Sequence, residues 1–321
     1  MKDINELPFN FYLKNKINGN YVVTILIGKK YFSDWQKYSS KLWTQYCINN
    51  NLGLIIFKDH LIKKTNKDWM SPNWQRLVIA SYVEKNIKEI KNICFLDSDI
   101  LINPFSPNIF DDFDKNKISL VSTVNNLPYS ISEESLRRRM ALNRKFFLRK
   151  DYPLNSSLNV LNKEIWKFYK IKKIENHFCS GVMVYNVKNF FKLFMLIYLK
   201  YSKKEKFKIL GCEPYIISEI LNSTKKINWI NYKYQTHWSY ELNYKYPFLY
   251  KRIHDSTIVK DCIEASLMNC YFLHFSGSLS DLEMWKNKNI FQKKKFIFFY
   301  KKYLLYEKKK LKKKILKSKF Q

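Results

Sequence analysis

Three short, nearly unbroken apolar runs constrain the fold most: residues 21–27 (YVVTILI), 53–57 (GLIIF) and 93–96 (ICFL). Runs of this kind, bounded by turn residues, are expected of strands covered on both faces. The segments between them carry helix signals. Ser33 with Gln36 three residues on resembles a capping box opening a helix to about residue 49. Ser71 ahead of Pro72 places a cap residue before proline at the first helical position, with a helix through about residue 88. Strand, helix, strand, helix, strand predicts an α/β, Rossmann-like, mixed but mostly parallel sheet flanked by helices. Residues 118–124, 179–186 and 271–275 supply further strands, and helices are expected to about residue 201 and over 211–221. We expect one domain over 1–290. Residues 127–160 form an acceptor-side insert or lid, or else a solvated basic helix over 133–149, and a basic amphipathic helical tail covers 291–321.

The run at 93–96 leads into Asp97-Ser98-Asp99 and then Ile100-Leu101-Ile102. In an extended strand, side chains two apart share a face, so Asp97 and Asp99 point the same way. Two carboxylates at the end of a core strand suit a hard divalent cation such as Mg²⁺ or Mn²⁺, shared with substrate phosphates. The competing reading is a turn, since Asp, Ser and Asn103-Pro104 are good turn formers. The flanking apolar runs favour a site, because open α/β sheets bind ligands at strand ends.

Net charge decides the class of partner. Fifty-eight Lys and Arg against 27 Asp and Glu give +31, which implies an anionic partner. A bias toward residues with A/T-rich codons is the competing explanation for part of it. Thirteen lysines and one acid, Glu307, lie in 293–321, so 13 − 1 = 12 of the +31 sits in the tail. Mixed there with aromatic and aliphatic residues, those lysines match a helix lying on an anionic membrane interface. Nucleic acid is not the expected partner, because no zinc, homeodomain or RNA-recognition signature is present. The six cysteines form no C-x-x-C pair and read as buried reduced thiols rather than a zinc site. The N-terminus has no apolar signal region and no segment approaches membrane-spanning length, so a cytoplasmic protein, peripheral on a membrane, is expected.

Leu96-Asp97-Ser98-Asp99-Ile100-Leu101-Ile102, Ser180-Gly181-Val182-Met183-Val184-Tyr185-Asn186 and His274-Phe275-Ser276-Gly277 follow one another in an order that resembles glycosyltransferase family 8. The resemblance spans roughly 21–277 and implies a GT-A fold and transfer of a hexose from a UDP-sugar to a glycan or lipid-linked acceptor. It implies Mn²⁺ (or Mg²⁺) held by Asp97, Asp99 and His274, with Tyr31 stacking on uracil and Arg76 approaching the diphosphate. Gly28, Ser98 and Gly277 fall at donor-binding positions, and Glu213 is either a catalytic acid beside the sugar or a helix-start carboxylate. The chain departs from that family in three places. It has Gly28 for an Asp, Glu213-Pro214 near an Asp-Gln pair, and Ser278-Leu279-Ser280-Asp281 where the family carries a phosphate-binding lysine. The alternatives are a basic nucleic-acid binder and a haloacid-dehalogenase-type phosphohydrolase; the latter places its Asp-x-Asp on the first strand, whereas here two strands precede it.

Overall fold

The computed structural model describes residues 8–290 apart from 16, 153, 155–165, 168, 172–175, 206, 208–212, 225, 278–282 and 287–289. The expected tail over 291–321 lies outside the described residues, as do much of 153–165 and the segment after Gly277. In chain order the strands are β1 (Phe9–Leu13), β2 (Asn20–Ile25), β3 (Gly53–Phe57), β4 (Asn92–Leu96), β5 (Ile100–Ile102), β6 (Ile118–Ser122), β7 (Phe178–Asn186), β8 (Ile227–Ile230), β9 (Thr236–His237) and β10 (Phe272–His274). The helices are α1 (Lys29–Tyr38), α2 (Ser40–Asn49), α3 (Pro72–Gln75), α4 (Ile79–Asn86), α5 (Glu133–Asn143), α6 (Val187–Ser202), α7 (Glu213–Ser223), α8 (Trp238–Lys245) and α9 (Ser256–Asn269).

Seven strands form one sheet in the order β1-β3-β2-β4-β7-β6-β8. β2 runs parallel to β3 and β4, and β6 parallel to β8, while β7 is inserted antiparallel between β4 and β6 and β1 is antiparallel to β3. The sheet is therefore mixed, and β2, β3, β4, β6 and β8 share one direction, as the apolar runs predicted. Alternation along the strands divides the interior. Val22, Leu54, Cys94 and Val184 face Trp35, Trp43 and Tyr46 of α1 and α2. Val23, Ile55, Phe95 and Met183 face Ile79 and Val83 of α4 and Phe194 and Ile197 of α6. Both faces being covered by helices explains why these strands show no polar alternation.

Two expected helices are each divided. The first begins at Lys29, capped by Gly28, so the Ser33–Gln36 pair lies inside it and is no capping box. It breaks at Ser39, flanked by Ser40 Oγ donating to the Gln36 carbonyl and Thr44 Oγ1 to the Ser40 carbonyl. Back-bonding of this kind competes with the helical ladder and bends helices. The second stops at Gln75, where Leu77 N–H and Val78 N–H bond three residues back, to Trp74 and Gln75. This tightened turn sets Arg76 at the break. Over 133–149 the helix reading holds: α5 has a Ser132 side-chain cap, and Arg137 and Arg138 pair with Glu133 and Glu134 one turn back. Arg137 and Arg144 are buried, so this helix is packed rather than simply solvated. Among the described residues, no helix is long and apolar enough to cross a membrane.

A second sheet, β5-β10-β9, stands at the carboxyl end of β4. Leu101 and Leu273 bury against Trp238, Ile263 and Leu267 of α8 and α9. The joint between the sheets is fixed by Trp43, fully buried, whose indole N–H donates to the Ile100 carbonyl at 2.8 Å. Trp43→Phe removes that donor and leaves a buried carbonyl short of a partner. We expect a stability loss of about 1–3 kcal/mol, read from urea unfolding; an unchanged midpoint would remove this bond from the account.

Candidate metal and ligand site

Asp97, Ser98 and Asp99 occupy the turn between β4 and β5, where the chain leaves the large sheet for the small one. Turn and site are thus one feature, and the carboxylates converge through the turn rather than through strand alternation. The Asp97 N–H donates to the Gly181 carbonyl at 2.9 Å, continuing the β4–β7 ladder. The Phe275 N–H donates to the Asp99 carbonyl at 3.0 Å, and His274 pairs with Ile100 across β5–β10. These bonds bring His274 to the acid pair from 175 residues away in sequence (274 − 99 = 175).

His274 is 1% exposed. Its Nε2 lies 3.3 Å from Asp99 Oδ1 and 3.9 Å from Asp97 Oδ2, yet has no hydrogen bond. A buried ring nitrogen without a hydrogen bond, aimed between two carboxylates, is a donor arrangement that could hold a cation, and the three ligand atoms lie within 4.8 Å of one another. The two carboxylates suit Mn²⁺ or Mg²⁺, and an imidazole beside them favours Mn²⁺ of the two. The ring reaches this position because residue 181 is glycine. A Cβ there would stand 2.4 Å from His274 Cε1 and 3.0 Å from Asp97 Oδ2.

Arg76 closes the opposite side. Its Nη2 stands 3.5 Å from Asp97 Oδ1, its Nη1 stands 3.8 Å from Glu213 Oε2 and donates to Ser180 Oγ, and its plane covers the Phe95 ring. Glu213, first residue of α7, accepts from the Ser180 N–H on one oxygen and from the Ser180 hydroxyl at 2.6 Å on the other. Ser180 lies in a motif noted in the sequence, but nothing there shows that it ties Glu213 to Arg76.

A cleft of about 320 Å³ opens over this network, lined among others by Ile27, Tyr31, Asn73, Arg76, Asp97, Ser98 and Asp99. Tyr31, in the first turn of α1, is 61% exposed and presents its ring there. Gly28 and Gly277 are not among the lining residues. Gly28 has φ 105, a conformation that favours glycine, and turns the chain from β2 into α1. That requirement explains why no aspartate stands there. A larger cavity, about 730 Å³, lies beside Trp229 and Asn231, but its one buried carboxylate, Glu241, is already bonded to Tyr129, Ser266 and Lys245. The smaller cleft holds the chemistry.

Burial raises the Asp97 carboxyl above the usual range; Arg76 opposes the shift and Asp99 adds to it. For His274, burial disfavours the imidazolium, but Cys179 and Asp99 outweigh it and hold the ring well above the ordinary histidine value. Both shifts favour the proton-bound forms, so a cation binding here competes with protons.

No protein-family profile and no curated protein sequence matches the chain. It is similar to solved structures of glycosyltransferases. One, involved in the glycosylation of the major capsid of PBCV-1, is 10% identical with a TM-score of 0.46, over 82% of this chain and 97% of that one. The galactosyltransferase LgtC, solved with donor and acceptor sugar analogs, is 10% identical with a TM-score of 0.44, over 80% of this chain and 87% of the other. GlyE of Streptococcus pneumoniae TIGR4 is 12% identical with a TM-score of 0.42, over 81% of this chain and 55% of GlyE. This chain thus spans about half of GlyE.

Because Asp97 and His274 are both raised, Mn²⁺ affinity should increase as the pH rises above the ordinary histidine range, with proton release. Calorimetry in buffers of different protonation enthalpy measures both. A flat affinity without proton release would contradict the site.

Proposed function

We propose that the chain is a nucleotide-sugar-dependent glycosyltransferase of the GT-A type, moving a hexose from a UDP-sugar to a hydroxyl of a glycan or lipid-linked acceptor. The observation that carries this reading is the buried Nε2 of His274, without a hydrogen bond, facing Asp97 and Asp99, two acids that line a cleft together with Tyr31 and Arg76. Asp97, Asp99 and His274 would hold Mn²⁺ or Mg²⁺. When bound, that ion neutralises the charge developing on the leaving diphosphate.

The remaining roles belong to the chain. The exposed Tyr31 ring offers a face for the uracil to stack on. Ser98, between the two acids on the cleft wall, offers a hydroxyl or backbone N–H to phosphate oxygens. Arg76, buried and planar, supplies a second positive group beside the diphosphate. Breaking the bond between the anomeric carbon and the phosphate oxygen leaves an oxocarbenium-like sugar, and the acceptor hydroxyl passes its proton, as it attacks, to a carboxylate base if the sugar inverts or to the leaving phosphate if it is retained. Both oxygens of Glu213 are bonded by Ser180. We therefore assign Glu213 to holding Arg76 and Ser180 in place, with its effect on the sugar passing through them. Gly28 serves by turning the backbone beside Tyr31, and Gly277 by turning it after β10. An acid-lined cleft is a poor seat for a nucleic-acid backbone, which disfavours that alternative.

Asp97→Asn, Asp99→Asn and His274→Ala should each lower Mn²⁺-dependent UDP-sugar turnover by roughly 100-fold or more while unfolding stays cooperative. A screen of UDP-sugars for hydrolysis with and without chelator reads this directly. Full activity of Asp99→Asn under chelation would end the proposal.

The acceptor is proposed to lie at an anionic membrane surface. The lysine-rich 291–321 supports this, as do the exposed Phe146 and Phe147, set among Arg138, Arg139, Lys145 and Arg149. Truncation after Tyr306 should reduce flotation with vesicles rich in anionic lipid, by ~1 kcal/mol per lysine removed from the surface. Equal flotation of the two forms would remove the membrane role.

A further inference from the structure

The ring of His274 has a second nitrogen, and it faces different chemistry. Nδ1 lies 3.8 Å from Cys179 Sγ and 3.1 Å from Gln235 Nε2. β9 runs parallel to β10 with His237 opposite His274, and the two imidazoles stand 5.5 Å apart, inclined by 34°. One donor atom from each of Cys179, His237 and His274 falls within 4.8 Å of the others. His237 is 8% exposed, and its Nε2 has no hydrogen bond; neither does the buried Oε1 of Gln235. Two buried polar atoms without partners beside a thiol and two imidazoles call for a ligand.

We propose that Cys179, His237 and His274 form a second cation site, for a soft divalent ion of the Zn²⁺ class, on the side of the His274 ring away from the acid pair. Thiolate and imidazole donors select such an ion, where carboxylates select harder ones. Tetrahedral zinc with ordinary Zn–S and Zn–N lengths places sulfur and nitrogen about 3.6 Å apart, close to the 3.8 Å between Cys179 Sγ and His274 Nδ1. His237, whose donor atom lies within 4.8 Å of the other two, must close on them to complete the set, and the Gln235 amide, turned over, supplies an oxygen as fourth donor. Binding takes one lone pair from each imidazole and releases two protons to solvent, the Cys179 thiol proton and the Nδ1 proton of the His274 imidazolium. The C-x-x-C criterion misses this set, because its members come from β7, β9 and β10.

One consequence rests on the glycosyltransferase reading. An imidazole coordinated through Nδ1 carries its proton on Nε2, and that N–H faces Asp99 Oδ1 at 3.3 Å. The ring then donates to the acid pair instead of ligating beside it. A soft ion should therefore antagonise Mn²⁺ through the shared histidine.

Co²⁺ added to the full chain tests the site itself. Wild-type protein should show cobalt–thiolate charge-transfer absorption that Zn²⁺ displaces. Cys179→Ser, a near-isosteric change, should abolish it. His237→Ala should weaken binding by roughly 10-fold or more, and Asp99→Asn should retain it. Absence of thiolate absorption at saturating Co²⁺, or its persistence in Cys179→Ser, would overturn the proposal. Absence of UDP-sugar turnover would count against the glycosyltransferase reading and leave this absorption untouched, so the two failures are distinguishable.

Discussion

Uncompensated negative charge at the end of β4 is the constraint on which the rest of the site depends. Asp97, Asp99 and Glu213 bring three carboxylates to one guanidinium, Arg76, within a few ångströms of a buried imidazole. Such a cluster is costly to assemble away from water unless its charges are paired. Arg76 serves two of the acids, and Ser180 gives Glu213 two hydrogen bonds. Asp99 is left with the imidazole alone among these partners. With the three acids ionised the balance is negative whether or not that ring is protonated, a balance that a divalent cation would neutralise.

That cluster is held by backbone rather than by side-chain packing. The Asp97 N–H bonds to β7, the Asp99 carbonyl accepts from the residue after β10, and the indole of Trp43 secures the carbonyl of Ile100. Each acid therefore sits next to a ladder contact belonging to a different sheet. A ligand set positioned this way resists being pulled together or driven apart by its own charge, as a preorganised site requires.

The parts legible in the sequence were those whose signal is local. β2, β3 and β4 announced themselves as apolar runs because both faces are covered, and the motif around Gly181 fell within β7. β10 was also legible, as the apolar run at 271–275, whereas β5 and β9 are three and two residues long, too short for a periodicity, and form by pairing with partners distant in sequence. His274 was reached through family resemblance; His237 and Gln235 could not be, since only the parallel pairing of β9 with β10 brings them near. β1 escaped notice for a related reason: it is an edge strand with exposed alternate residues and lies beside a polar terminus. Arg76 was legible as a residue but not as a link, because its reach depends on the tightened turn that divides α3 from α4.

Gly181 shows how closely the two sides of His274 are joined. The same missing Cβ that admits Cε1 of the ring would also stand 3.0 Å from Nδ1 and from Asp97 Oδ2. A methyl group there would have to move the imidazole and the carboxylate together, since the strand behind it is fixed by its pairings with β4 and β6. The ring is thus confined between β7 on one side and β9 on the other, with one nitrogen toward oxygen donors and one toward sulfur and amide. In that confinement tautomer, not rotation, decides which neighbour receives a lone pair and which a proton. On the two proposals made above, the choice between hard and soft cation chemistry at this strand end would reduce to the position of a single hydrogen on His274.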